Sequence, residues 1–116
     1  MPKTFVLSLG GSLIFPQDLD KKFLNDFRKV IKKYIKKNYR FVIICGGGKL
    51  ARTFQEIASS SSKLNNEELD WLGIYATRIN AYLVKSMFGN DAQDSIISNP
   101  NEKITFKKNI LIAAGW

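Results

Sequence analysis

A chain of 116 residues is the size of one domain, and 45% hydrophobic with 24% charged residues is the balance of an ordinary globular protein. There is no histidine, which excludes a Ser-His-Asp triad, histidine general bases and the common zinc sites, and a single cysteine, Cys45, which excludes an internal disulfide and suits a reducing cytoplasm. Eighteen Lys and Arg against ten Asp and Glu give a net charge of +8, favouring anionic partners such as nucleotides and phosphates, while no apolar run is long enough for a membrane span and no secretory signal opens the chain.

Taken in order, Thr4 to Leu9 is a short apolar run cut off by Gly10-Gly11 and reads as a buried strand. Leu19 to Lys37 has helical periodicity, with Asp18 or Asp20 at its start and Phe23, Phe27, Val30, Ile31 and Tyr34 as its apolar stripe. Nine of the eighteen basic residues fall between Lys21 and Arg40, and the spacing of the aromatics turns them to the core and the lysines to solvent. Arg40 to Cys45 is a continuous apolar strand that runs into three glycines. Lys49 to about Ser60 suits a helix opening from that turn, with a polar break at Ser59 to Ser62. Asn66 to Phe88 is a second long helix, with Asn66 as its N-cap, Glu67, Glu68 and Asp70 in its first turns, and Gly89-Asn90 as its stop. Ser95 to Ser98 is a candidate short strand, Lys103 to Lys108 carries no clear pattern, and Asn109 to Ala114 is a third apolar strand. Strands alternating with helices predict an α/β fold in three α/β/α layers around a mainly parallel sheet, in one domain over residues 1–116.

In such a sheet ligands bind at the carboxyl ends of the strands, and two strands here end in glycine, at Gly10-Gly11-Ser12 and Gly46-Gly47-Gly48. Glycine lets the backbone approach an anion, and the start of a following helix supplies N–H donors and partial positive charge. Lys49 follows the triplet at once and Arg52 follows one turn later; both side chains are phosphate ligands. A Walker loop is excluded, because its first glycine would fall on Ile43 and its hydroxyl on Leu50. Gly46, Gly48 and Ala51 do match G-x-G-x-x-A, but the acids about 20 residues on (Glu67, Glu68, Asp70) open a helix where a dinucleotide site needs one at the end of a strand. A dinucleotide-binding half-domain is therefore a second reading.

The segments Leu9-Gly10-Gly11-Ser12-Leu13-Ile14, Gly46-Gly47-Gly48-Lys49-Leu50-Ala51-Arg52 and Asp70-Trp71-Leu72-Gly73-Ile74-Tyr75-Ala76-Thr77-Arg78-Ile79-Asn80-Ala81, in this order and spacing, resemble the amino acid kinase superfamily and within it the archaeal-type uridylate (UMP) kinases. The resemblance spans the chain but only about the first half of that fold, the phosphoacceptor-binding half, so the fold is expected to be incomplete at the C-terminus and the ATP-binding half absent. It implies transfer of the γ-phosphate of ATP, with Mg²⁺, to UMP, in a cytoplasmic homo-oligomer (a hexamer in the family) without membrane or specific nucleic-acid partners. It further implies that Gly10, Gly11, Ser12, Gly48 and Arg52 meet the ATP phosphates, that Gly46 and Gly47 meet the UMP phosphate, and that Asp70 accepts from the UMP ribose; no protein metal ligand is implied. Many relatives carry a lysine where this chain has Ser8, and relatives acting on N-acetylglutamate or isopentenyl phosphate tend to have a histidine where Cys45 stands. The first difference keeps open a non-catalytic nucleotide- or phosphate-binding module; the second favours the uridylate branch. Cys45 itself reads as a small buried residue closing a strand. A third class, nucleic-acid binding through the lysine-rich helix, would need Phe23, Phe27 and Tyr34 to face outward. Self-association is expected from an unpaired edge at Asn109 to Ala114 or an apolar face left open.

Overall fold

The computed structural model describes residues 2–10, 21–99 and 101–114. Three strands, β1 (Lys3–Leu9), β2 (Tyr39–Cys45) and β3 (Ile110–Ala114), form a parallel sheet in the order β1-β2-β3. The register aligns Leu9 with Cys45 and Cys45 with Ala114, so all three carboxyl ends finish at one edge. Helix α1 (Lys21–Ile35) follows β1; α2 (Gly48–Ser61) and α3 (Asn66–Phe88) follow β2, and a short 3₁₀ turn, Gly89–Asp91, closes α3. This is the expected parallel α/β arrangement. The proposed cap Asp18 or Asp20, and Leu19, lie outside the described residues.

The pleat sorts the sheet's side chains. Leu9, Phe41, Ile43, Cys45, Ile110, Ile112 and Ala114 face α1 and α3, which contribute Leu24, Ile31, Ala81, Val84 and Phe88 to a common core. Phe27 meets Phe88 edge to face at 6.2 Å, and Arg28 Nε donates to the Met87 carbonyl at 2.8 Å, a cation on the negative end of α3. The opposite sheet face gathers Val42, Leu111 and Ala113 with Ile97, and Ile44 and Phe106 pack against them partly buried. Helix α2 buries no residue fully and packs on α3 instead of on the sheet.

Several expectations change in detail. β1 is not buried: among the described residues it has one neighbouring strand, and Phe5 is 45% and Val6 66% exposed. In α1, Leu24 takes the core position while Val30 and Tyr34 stay exposed, Tyr34 sitting edge to face with Tyr39. Asn38 at φ 69° makes the left-handed turn into β2, a conformation asparagine tolerates. Ser95 to Ser98 is no strand. Isolated parallel bridges at Ala92 and Ile97, with bonds from Gln93 and Ile97 N–H to the Ile110 and Ile112 carbonyls, run along the outer side of β3. That edge is consequently paired, and among the described residues the open edge is that of β1. The N-cap of α3 is Asn65, one residue earlier than expected, its Oδ1 accepting from the Glu68 N–H at 2.8 Å; Gly89 at φ 55° ends the helix as expected.

Two outcomes follow for stability. Asn65→Ala should cost about 1 kcal/mol in urea unfolding, the size of a lost cap, while Asn66→Ala should be near neutral; the reverse order would return the cap to Asn66. Cys45 is 1% exposed, and burial pushes its thiol from 9.0 to about 12. The folded chain should resist a thiol reagent at mildly alkaline pH and react on unfolding. Above pH 9.0 the unfolded chain releases a proton that the folded chain keeps until about 12, so this group's contribution to stability falls as pH rises through that window. Labelling kinetics and unfolding at alkaline pH check both.

Candidate functional site

The glycine ends of β1 and β2 lie side by side: the Gly46 N–H donates to the Leu9 carbonyl at 3.1 Å, extending the ladder one step past both strands. Beyond it the chain breaks into α2, with Gly48 at φ 58°, a left-handed backbone suited to glycine. Gly47 is fixed by space. A Cβ there would lie 2.8 Å from Ala51 Cβ in the first turn of α2, a clash that favours glycine, and in ordinary contact with α3, 3.5 Å from the Gly73 carbonyl oxygen and 3.6 Å from Thr77 Cγ2. Gln55 Nε2 donates to the Leu69 carbonyl at 2.8 Å and sits 3.1 Å from where a Gly73 Cβ would be, holding α2 against α3.

The residue that orients the turn is Asn80, 2% exposed on an otherwise apolar helix face. Its Nδ2 donates to the Gly46 carbonyl at 2.8 Å and to the Gly47 carbonyl at 3.1 Å. A trans peptide places its C=O and the following N–H on opposite sides. Drawing the two carbonyls inward therefore turns the Gly47 and Gly48 N–H groups outward at the sheet edge, where no described residue accepts from either. They stand at the positive end of α2, whose first turn holds no acid but does hold Lys49, with exposed Arg52 just after it. Among the described residues no carboxylate pairs with Lys49 or Arg52. Cations at a helix N-terminus oppose the dipole, by typically 0.3–1 kcal/mol each, unless an anion is bound between them. Outward N–H groups, a helix N-terminus and two cations together form a candidate cradle with the chemistry to hold a phosphate.

Of the residues singled out above, Gly46, Gly47, Gly48 and Arg52 are brought together here, with Gly10 beside them at the end of β1. Gly11 and Ser12 lie outside the described residues. Asp70 is exposed on the face of α3 that also carries Gly73, Thr77 and Asn80, one turn before Gly73, and opens on a shallow depression with Gln55, Glu56 and Ser59; no described contact joins it to the glycine turn. Ser8 projects from the opposite sheet face, aligned with Ile44 and Ala113. Asn80 was within reach of sequence reading as a lone asparagine among apolar positions of a helix, but nothing in the spacing says which carbonyls it meets. The dinucleotide reading loses its remaining support, since the strand beside β2 ends in Ala113-Ala114 with no acid.

An α/β chain with a candidate phosphate cradle at the carboxyl edge of a parallel sheet is the class that fold and site define. The model of the amino acid kinase family matches residues 3–111, and the chain belongs to that family. Curated relatives include a uridylate kinase of Thermoplasma volcanium, 39% identical over 87 residues (75% of this chain and 37% of that protein), and one of Methanospirillum hungatei, 35% identical over 101 residues (87% and 42%). Among solved structures, uridylate kinase from Archaeoglobus fulgidus superposes with a TM-score of 0.72 at 28% identity, covering 97% of this chain and 50% of that one. The chain thus spans about two fifths of the length of the curated relatives it matches. No helix among the described residues is long and apolar enough to cross a membrane.

The role of Asn80 is open to direct test. Asn80→Ala takes the side-chain donor from both carbonyls, leaving Gly47 with only the long bond from the Ala51 N–H at 3.4 Å, and should destabilise the chain by about 1–3 kcal/mol, with amide exchange at Gly47 and Gly48 accelerated beyond the global change. Unchanged stability and exchange would mean that the turn holds its shape without Asn80.

Proposed function

We propose that this chain is the acceptor-binding portion of a uridylate kinase, which moves the γ-phosphate of Mg-ATP onto UMP to give UDP for pyrimidine nucleotide synthesis. The observation that carries the reading is the pair of outward Gly47 and Gly48 N–H groups, fixed by Asn80 at the head of a helix bearing Lys49 and Arg52. In it, Gly46 and Gly47 cradle the UMP phosphate, Gly48 and Arg52 meet the phosphate in transfer, and Gly10, with Gly11 and Ser12, lies along the ATP phosphates. Asp70, on the same face of α3, accepts from the ribose of UMP. The names of the curated relatives support the choice of UMP.

The chemistry asked of these residues is modest. Phosphoryl transfer between anions needs in-line positioning and neutralised charge more than a covalent participant, so backbone donors and a guanidinium suffice without histidine. Magnesium enters as part of the Mg-ATP substrate, because the cradle itself offers cations and N–H groups and no carboxylate ligand. Positioning contributes up to roughly 7–11 kcal/mol of barrier reduction in oriented reactions, and a loosely held donor forfeits it. The 116-residue chain is accordingly proposed to bind UMP and, alone, to turn over little.

By calorimetry UMP should bind more tightly than AMP or uridine, and Arg52→Ala should weaken it by about 1.5–3 kcal/mol, the value of a hydrogen bond to a charged group. UDP formation should be near background for the chain alone and rise when the C-terminal part of a relative is supplied. Robust turnover by the chain alone would place the ATP site within these residues; UMP binding with failure in both arms would favour a module that holds nucleotide without transferring it, with Ser8→Lys the first variant to restore activity.

A further inference from the structure

The amino end of the sheet carries a second patch, which the glycine turn does not use. Phe5 of β1 stacks on Tyr39 of β2 with ring centres 5.4 Å apart, and Tyr34, near the end of α1, meets the Tyr39 ring edge to face, also at 5.4 Å. The three rings are continuous, yet Phe5 stays 45% and Tyr34 40% exposed. Cations border them. Lys37 Nζ lies 5.5 Å from the Tyr34 ring centre, and Lys3 is aligned with Tyr39 across the ladder, two residues before Phe5 and so on the same sheet face. Lys33 and Lys36, both exposed, lie within two residues of Tyr34.

A basic run alone is a solvated helix face, and lysines in the last turn of α1 also suit its dipole. Neither reason explains aromatic rings left in water among them. The chain has no acid between Asp26 and Glu56. The ion pairs of α1, Lys22 with Asp26 at 2.9 Å and Lys32 with Asp91 at 3.5 Å, leave Lys3, Lys33, Lys36 and Lys37 without a carboxylate among the described residues. A ligand complementary to this patch is therefore anionic and offers flat apolar surface. A second copy of the chain is not, because a two-fold contact here sets lysine against lysine. A duplex hides the faces of its bases. An unpaired strand offers both features: phosphates for the lysines, and bases that stack on rings whatever their sequence. We infer that Phe5, Tyr34 and Tyr39, with the lysines around them, form a surface that binds single-stranded nucleic acid without sequence preference. The outward rings that such binding needs are Tyr34 and Phe5, while Phe23 and Phe27 pack on the core. The patch stands a full strand length, about 20 Å, from the glycine turn, so the inference is independent of which nucleotide binds there.

Fluorescence anisotropy with a labelled oligothymidylate tests this, with circular dichroism to verify the fold of each variant. The chain should bind with a Kd below about 100 μM at physiological salt, and log Kd should rise with log salt at a slope of about 3, the counterion release of four lysines on single-stranded phosphate. The double variant K33E/K37E should weaken binding tenfold or more. Phe5→Leu and Tyr34→Leu, which keep charge and apolar character, should each weaken the oligonucleotide about fivefold or more and leave heparin, a polyanion without bases, unchanged. Arg52→Ala, at the glycine turn, should leave the oligonucleotide affinity as it is. No binding, ring variants that bind the oligonucleotide as well as the parent does, or loss of binding on Arg52→Ala would overturn the inference. So would binding of anionic lipid vesicles in place of the oligonucleotide, or self-association that is lost on Phe5→Leu in a chain that binds no strand.

Discussion

Two hydrogen bonds from one amide, Asn80 Nδ2 to the Gly46 and Gly47 carbonyls, decide which way the turn after β2 faces. Everything at the sheet edge depends on that choice. With the carbonyls satisfied inside, the peptide planes have no freedom left to turn the Gly47 and Gly48 N–H groups anywhere but outward. The donor itself is immobile because α3 is locked to the sheet by its neighbours Ala81, Val84 and Phe88, in contact with the β2 and β3 core. Packing energy from the apolar core is thus converted into the direction of two N–H bonds. A side chain at Gly47 would clash with Ala51, and Gly73 and Thr77 of α3 lie within ordinary contact of the same place.

The electrostatics complete what the backbone begins. Lys49 and Arg52 stand at the wrong end of a helix for their own comfort, a small cost that a bound phosphate reverses in sign. Among the described residues this turn brings together no nucleophile and no general base, and the reaction proposed for it asks for neither. One helix has two different faces: the inner one orients the turn, and the outer one leaves Trp71, Tyr75 and Tyr82 exposed.

Much of this was legible before any coordinates. Continuous apolar runs gave β2 and β3 because strands buried on both sides need no alternation. The glycine triplet marked where β2 ends and α2 begins, with Lys49 and Arg52 in the opening turns of that helix. What escaped has physical reasons. β1 has the composition of a buried strand, but burial depends on neighbours, and among the described residues it has one. Asn65 and Asn66 are chemically equal caps, and a one-residue choice between them is made by where the chain leaves α2. Val30 and Tyr34 keep helical spacing yet stay exposed, with Tyr34 edge to face against Tyr39. Asn80 makes contacts 33 and 34 residues away, and no local pattern encodes a partner at that range.

The central claim is that Asn80 presents two backbone donors to a phosphate. It is tested most directly by following the backbone amides in a two-dimensional nitrogen–proton NMR spectrum while UMP is added to the isotopically labelled chain, and repeating the titration with Asn80→Ala. The account predicts that the Gly47 and Gly48 amides shift downfield first and furthest in the parent chain, as expected for N–H groups that gain a charged acceptor, and that these shifts are lost in the variant while the rest of the spectrum stays dispersed. Shifts centred elsewhere, or a Gly47 and Gly48 response that survives the loss of Asn80, would contradict it.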